Sequence, residues 1–292
     1  MKLVDIVMIK AALAVALSAT ALLGADAVAA QEASSDLVQL ARALEDRLDA
    51  RIGLYIHDFE DGQSWEYRAD ERFPMASTFK MLACATLLDR DATEETVTID
   101  AADLVDYSPV TETMVGESVS AAFLCETTLR TSDNTAANYL LEVLGGPQAV
   151  TQFLRETGDE TTRLDRMEPE LNEGEPGSEL DTTTPRAMAS LAQSFLTEDM
   201  LPPADREQLT AWLMANEVGG PLLRSGIPAD WRIADRTGAG GYGTRGIVAV
   251  MWPSEREPIV AAIYLTETEA SMAERNAAIA EIGAALARAV HE

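Results

Sequence analysis

The sequence predicts an α/β (α+β) fold: a five-stranded antiparallel sheet flanked by helices, with an all-helical domain inserted into it. Three observations predict it. Strand-like runs occur only towards the two chain ends. A helical pattern precedes the first strands and another follows the last. Between them, residues 73–214 are helix- and loop-rich. One sheet built from both chain ends, with the helical block inserted, buries all of these apolar faces most economically.

Residues 1–30 read as an export signal peptide. Lys2 and Lys10 flank the n-region, an apolar run follows from Ala11 to Leu23, and Ala27-Val28-Ala29 supplies a small-residue cleavage site. The run is short for a membrane span. The mature chain is therefore expected to start near Gln31, to be periplasmic or secreted, and to keep no membrane association. Leu37, Leu40, Ala41, Leu44 and Leu48 then recur at helical spacing. Arg51 to Phe59 and Ser64 to Tyr67 read as strands around the turn Glu60-Asp61-Gly62-Gln63. The 73–214 block carries no strong strand. Trp231 to Arg236, Arg245 to Trp252 and Pro258 to Thr266 read as three more strands. Ser271 to Val290 reads as a closing helix with Met272, Ile279, Ile282, Gly283 and Leu286 on its apolar side. The expected domains are 31–72 with 215–292 around the sheet, and 73–214 as the helical insert. A ligand site is expected at their junction.

Composition excludes several functions. With 49 acidic and 22 basic residues the net charge is -27, which opposes binding to nucleic acid or anionic lipid. The two histidines, His57 and His291, assemble no zinc site and no Ser-His-Asp triad. A serine nucleophile here needs Lys or Glu as its base, and no metal or cofactor is expected. The charge also exceeds the magnitude of ~2–8 that solubility asks for, which predicts an acidic, salt-adapted surface. Cys84 and Cys125 form either one disulfide or two buried thiols.

Four short motifs can carry chemistry. In Ser77-Thr78-Phe79-Lys80, Pro74 suits the start of a helix, so Ser77 falls in its first turn with Lys80 stacked on the same face. A neutral amine there can take the serine proton. Lysine occurs only at positions 2, 10 and 80. A lone lysine in an arginine-rich chain points to a role that Arg cannot fill, such as proton exchange. Ser132-Asp133-Asn134 offers a hydroxyl to relay a proton and an amide to hold a carbonyl, although such a tripeptide also serves as a plain helix cap. Glu168-Pro169-Glu170-Leu171-Asn172 lies in an irregular Pro/Gly-rich loop, where Glu168 and Asn172 can grip one water. Arg236-Thr237-Gly238-Ala239 ends a strand. There the glycines admit a ligand close to backbone, and Arg236, Thr237 and Arg245 form an anion-binding cluster.

This ordered set resembles the class A serine β-lactamases, which share their fold with the penicillin-binding proteins. Phe73-Pro74-Met75, Tyr107-Ser108-Pro109, Arg163-Leu164-Asp165-Arg166 and Pro221-Leu222-Leu223-Arg224 extend the likeness over the mature chain. The resemblance implies hydrolysis of a small-molecule β-lactam through an acyl-enzyme on Ser77. Lys80 and Glu168 share the base work. Backbone N–H groups of Ser77 and Ala239 form the oxyanion hole. Ser132 protonates the ring nitrogen, and Glu168 with Asn172 activates the deacylating water. Asn134 holds the substrate side-chain amide, Arg236, Thr237, Gly238 and Arg245 take its carboxylate end, and Tyr107 lines the entrance. Arg166 and Asp181 pin the loop, and Cys84 and Cys125 pair as a disulfide. The sequence gives no reason to expect an oligomer, so a monomer is expected.

Most of these enzymes carry Lys where this chain has Arg236. The Arg-Thr-Gly triplet and the following Gly240-Gly241-Tyr242-Gly243 are similar to the carbenicillin-hydrolysing subgroup. The variant removes proton transfer at this position and keeps anion binding, with Arg236 expected to serve a second substrate carboxylate. Ala76 and Gly240 stand where some carbapenem-hydrolysing members carry an extra cysteine pair. A penicillin-binding peptidase lacks the Glu168–Asn172 pair, and a membrane-bound β-lactam sensor needs spans absent from this sequence.

Overall fold

A computed structural model describes residues 36–290. The predicted signal peptide and His291 lie outside the described residues. In chain order, helix α1 (residues 36–48) leads into strands β1 (Arg51–Asp58), β2 (Ser64–Tyr67) and the two-residue β3 (Phe73–Pro74). The helical block holds α2 (Phe79–Asp89), α3 (Ala121–Thr131), α4 (Asn134–Leu144), α5 (Pro147–Glu156), α6 (Pro185–Leu196) and α7 (Pro203–Met214). It also holds the short strands β4 (Thr96–Thr98), β5 (Ser118–Ser120) and β6 (Thr182–Thr183). The chain returns through α8 (Leu223–Gly226), β7 (Arg232–Ala239), β8 (Arg245–Trp252), β9 (Ile259–Thr266) and α9 (Met272–Ala289).

The five long strands form one antiparallel sheet in the order β2-β1-β9-β8-β7. The central strand β9 is buried along its whole length, and its alternation divides the core. Ile259, Ala261, Ile263 and Leu265 face α1 and α9, packing with Leu37, Leu44, Ile279, Ile282 and Leu286. Val260, Ala262 and Tyr264 face the helical block, packing with Met188, Ala192 and Phe195 of α6. The sheet is thus the middle of three layers. Gly226 is required where α8 crosses α9, because a Cβ there would lie 2.0 Å from the Ala280 carbonyl oxygen.

Four expectations need adjustment. The helical block contains paired strands, β3 with β6 and β4 with β5, too short to show an alternation in sequence. Pro74 belongs to β3, opposite Thr182, and does not open a helix. Strand β7 runs through Ala239 and not only to Arg236, because β8 pairs with it in continuous register from Arg232–Trp252 to Ala239–Arg245. Met272 is 42% exposed and leaves the apolar side of α9. It is the first helical residue of α9, and residues 271–274 are all exposed. Cys84 and Cys125 are joined as a disulfide across α2 and α3, 41 residues apart. A closed loop of that length stabilises by roughly 4 kcal/mol in the chain-entropy model.

Candidate active site

Helix α2 is buried on every residue from Phe79 to Leu88. Its N-terminus is set by a single 3₁₀ turn, Ala76–Thr78, with Ala76 at φ +42°. Tyr107 and Ser132 also hold left-handed backbone, at φ +64° and +67°. Strained non-glycine residues of this kind persist only where surrounding contacts impose them, and they gather at functional sites. Strand β7 runs hard against the Ser77 turn. A Cβ on Gly238 would lie 2.7 Å from the Met75 carbonyl oxygen and 3.1 Å from the Ser77 nitrogen. Only glycine lets the strand and the turn approach this closely.

The Lys80 amine is fully buried and is gripped from three sides. It donates to Asn134 Oδ1 at 2.6 Å and to the Ser132 carbonyl at 2.9 Å, and it pairs with Glu168 Oε1 at 3.1 Å. Burial lowers its pKa to about 8, against the opposing pull of the Glu168 carboxylate. The expected stacking of Lys80 beside Ser77 takes an indirect form. Ser132 Oγ accepts from Lys80 Nζ at 3.4 Å and donates to Ser77 Oγ at 3.3 Å. Ser77 Oγ in turn donates to Glu168 Oε1 at 3.4 Å. Two groups therefore bridge the lysine and the serine.

Ser132 caps the C-terminus of α3, and Asp133 caps the N-terminus of α4 by accepting from Ala136 N. The plain capping reading of this tripeptide is thus also true. Asp133 further accepts from Thr111 Oγ1 and from the backbone of Val110 and Thr111, which ties the Tyr107 loop to α4. Asn134 is engaged at both ends, since its Nδ2 donates to the Asp106 carbonyl at 2.9 Å.

Glu168 is held by Asn138, which sequence reasoning missed. Asn138 Oδ1 accepts from Glu168 N and Nδ2 donates to Glu168 O, both at 2.9 Å. Asn138 is one turn on from Asn134 along α4, and that i, i+4 spacing was the available signal. Asn172 donates to Glu168 Oε2, and its own Oδ1 is buried with no hydrogen-bond partner among the described residues. Arg166 Nε pairs with Asp181 Oδ2 at 2.6 Å, while Asp181 Oδ1 accepts from the backbone of Asp165 and Arg166.

Arg236 departs from the sequence expectation. It is fully buried, and its guanidinium is committed inside the protein: to the Ser77 carbonyl at 3.1 Å, to the Leu129 carbonyl at 3.4 Å, and to Ser132 Oγ. Burial lowers its pKa to about 10, so it stays charged near neutrality. A guanidinium with its nitrogens so engaged does not present a fork to a second carboxylate. Arg245, Thr237, Gly238 and Ala239 do line a cleft of about 370 Å³, together with Ser77, Ser132 and Asn134. Tyr107, 59% exposed, stands at its mouth. Arg245 Nε donates to Asn276 at 2.8 Å and Nη1 to the Gly238 carbonyl at 3.1 Å. Behind it, buried Asp235 pairs with Arg224, the last residue of the Pro221–Arg224 segment, and accepts from Asn216.

A serine bridged to a buried lysine by a second serine and a loop glutamate, against the edge strand of this sheet, defines a serine acyl-transfer enzyme. The chain belongs to the β-lactamase enzyme family, whose model matches residues 36–290, and it is a class A serine β-lactamase, hydrolysing the β-lactam amide bond. It is 51% identical over 251 residues to β-lactamase PSE-1 of Pseudomonas aeruginosa, covering 84% of this chain and 87% of that one. It is 46% identical over 259 residues to β-lactamase AER-1 of Aeromonas hydrophila, covering 87% and 85%. Among solved structures, the ancestral (GNCA) class A β-lactamase matches with a TM-score of 0.85 at 51% identity, over 87% of this chain and 99% of that one. The chromosome-encoded β-lactamase of Vibrio parahaemolyticus matches with 0.85 at 43% identity, over 88% and 99%.

Proposed function

We propose that the enzyme opens the β-lactam ring of penicillins, carbenicillin included, in two steps through an ester on Ser77, and so confers resistance to them. The observation that carries this reading is the double bridge: Ser132 Oγ and Glu168 Oε1 each bond both Ser77 Oγ and Lys80 Nζ. In acylation, Ser77 Oγ attacks the lactam carbonyl and its proton passes to Glu168 or to neutral Lys80. The oxyanion is held by the backbone N–H groups of Ser77 and Ala239. As the C–N bond breaks, Ser132 passes a proton to the ring nitrogen and is resupplied from Lys80; a proton first taken by Glu168 reaches Lys80 across their 3.1 Å contact, which leaves Glu168 a carboxylate for the next step. In deacylation, Glu168 takes a proton from a water that also donates to the unpaired Asn172 Oδ1. The water oxygen attacks the ester, and Ser77 leaves with the proton returned.

Thr237 and Arg245 hold the substrate carboxylate, with Gly238 giving the close approach, and Asn134 and Tyr107 border the acyl side chain. Arg236 acts from beneath, fixing Ser132 and adding positive charge that favours a dianionic substrate. Within the described residues, the sheet domain built from both chain ends and the helical domain of residues 73–214 meet at this cleft. The mature enzyme is an exported, periplasmic or secreted monomer that works without nucleic acid, membrane or cofactor, and its acidic surface is adapted to salt. Turnover of benzylpenicillin and carbenicillin by the purified enzyme tests the reading. Hydrolysis of both, abolished in Ser77→Ala, is expected. A fully active Ser77→Ala enzyme would refute it.

A further inference from the structure

Met272 has no part in the core. It is 42% exposed, at the first position of α9, yet it lines the cleft that contains Ser77. Four residues on, and so on the same helix face, Asn276 accepts from Arg245 Nε. Met272 therefore stands over the end of the cleft where Arg245 and Thr237 lie. Val218 lines that cleft as well, half-buried. Its backbone N–H donates to Asn216 Oδ1 at 3.0 Å, and Asn216 is anchored on buried Asp235. An unbranched, polarizable side chain and a β-branched one on a tethered backbone thus line the same cleft as Arg245 and Thr237, the proposed carboxylate ligands.

We infer that Met272, with Val218, is a specificity-determining contact for the apolar group beside the substrate carboxylate, the geminal methyl pair of the penicillin five-membered ring. The inference rests on the proposed penicillin hydrolysis. It follows from covalent chemistry: in a penicillin the dimethyl-bearing carbon is bonded to the carbon that carries the carboxylate. A carboxylate held at Arg245 and Thr237 therefore brings both methyl groups to the adjoining wall. The adaptable thioether fills irregular apolar gaps of this sort.

The test compares benzylpenicillin with its analogue lacking the two methyl groups, on wild type, Met272→Ser and Met272→Leu, with melting temperatures recorded for each. Met272→Ser is expected to lower kcat/KM for benzylpenicillin about five- to tenfold, mainly through KM, and to leave the dimethyl-free analogue within about twofold. Met272→Leu should restore most of the loss. An equal fall on both substrates would show that Met272 only supports Arg245, and no fall on either would show no contact; each overturns the inference. A wild-type enzyme that opens neither substrate overturns the penicillin reading with it, and the two failures are distinct.

Discussion

Arg236 donates through one arm of its guanidinium to Ser132 Oγ, while its Nε holds the carbonyl of Ser77. A cation buried beneath the cleft thus orients both hydroxyl-bearing segments of the site. A lysine would keep the charge but could not make three divergent hydrogen bonds from a planar fork.

Arg236→Lys is therefore expected to lower kcat about tenfold for both ampicillin and carbenicillin, with the ratio of their kcat/KM values changing less than about threefold. Steady-state kinetics on the two substrates check this. A loss confined to carbenicillin would mean that the guanidinium reaches the substrate's second carboxylate after all.

The second expectation concerns Lys80. Its pKa is lowered to about 8 by burial and raised by the facing Glu168 carboxylate. Replacing Glu168 with Gln removes the raising influence, so the lysine pKa falls below about 8. Lys80 is neutral, and able to accept a proton, above that value. Single-turnover acylation of Glu168→Gln by a penicillin should then rise with pH through a midpoint below about 8. A rate independent of pH from 5 to 9 (a range set by the side-chain reference values) would remove Lys80 as a base.

The third concerns Asn138, whose amide pairs with both backbone groups of Glu168. Asn138→Ala leaves a buried N–H and C=O unpaired, each costing about 1–3 kcal/mol. The melting temperature should fall by several degrees, and deacylation should slow about tenfold as Glu168 loses its placement. Stopped-flow acylation with steady-state turnover separates the two steps. Unchanged deacylation would reduce Asn138 to a purely structural role.

How much of this site was legible depended on the kind of signal. Ser77, Lys80, Ser132, Glu168 and Asn172 stand in short motifs whose residue types state their chemistry, and they converge as expected. The long strands were readable because β8 and β9 are continuous apolar runs. The two-residue β3–β6 pairing was not, since two residues carry no period. Asn138 and the Asp235–Arg224–Asn216 network were missed because their meaning is a contact between distant segments. Arg236 was misplaced for a related reason: an Arg next to a glycine strand looks like a ligand-binding fork until the structure buries it against Ser132. Met272 falls on the apolar side of α9 by helical spacing alone, which cannot tell that the first turn of the helix is exposed.

The fourth expectation follows from charge. With a net charge of -27, self-repulsion opposes the compact state at low ionic strength, and salt near 1 M shortens the screening length to ~3 Å. The melting temperature of the mature enzyme should rise between low salt and molar NaCl at fixed pH. A flat or falling curve would leave the acidity as a solubility feature only.

Turnover runs through a Ser77 ester that Glu168 clears. Intact-protein mass spectrometry of Glu168→Gln mixed with benzylpenicillin tests it most directly, since removal of the base costs ~10²–10⁴-fold. A long-lived species heavier by one whole penicillin is expected, with the added mass mapping to Ser77 after digestion. Free enzyme turning over at the wild-type rate, or an adduct on any other residue, would contradict it.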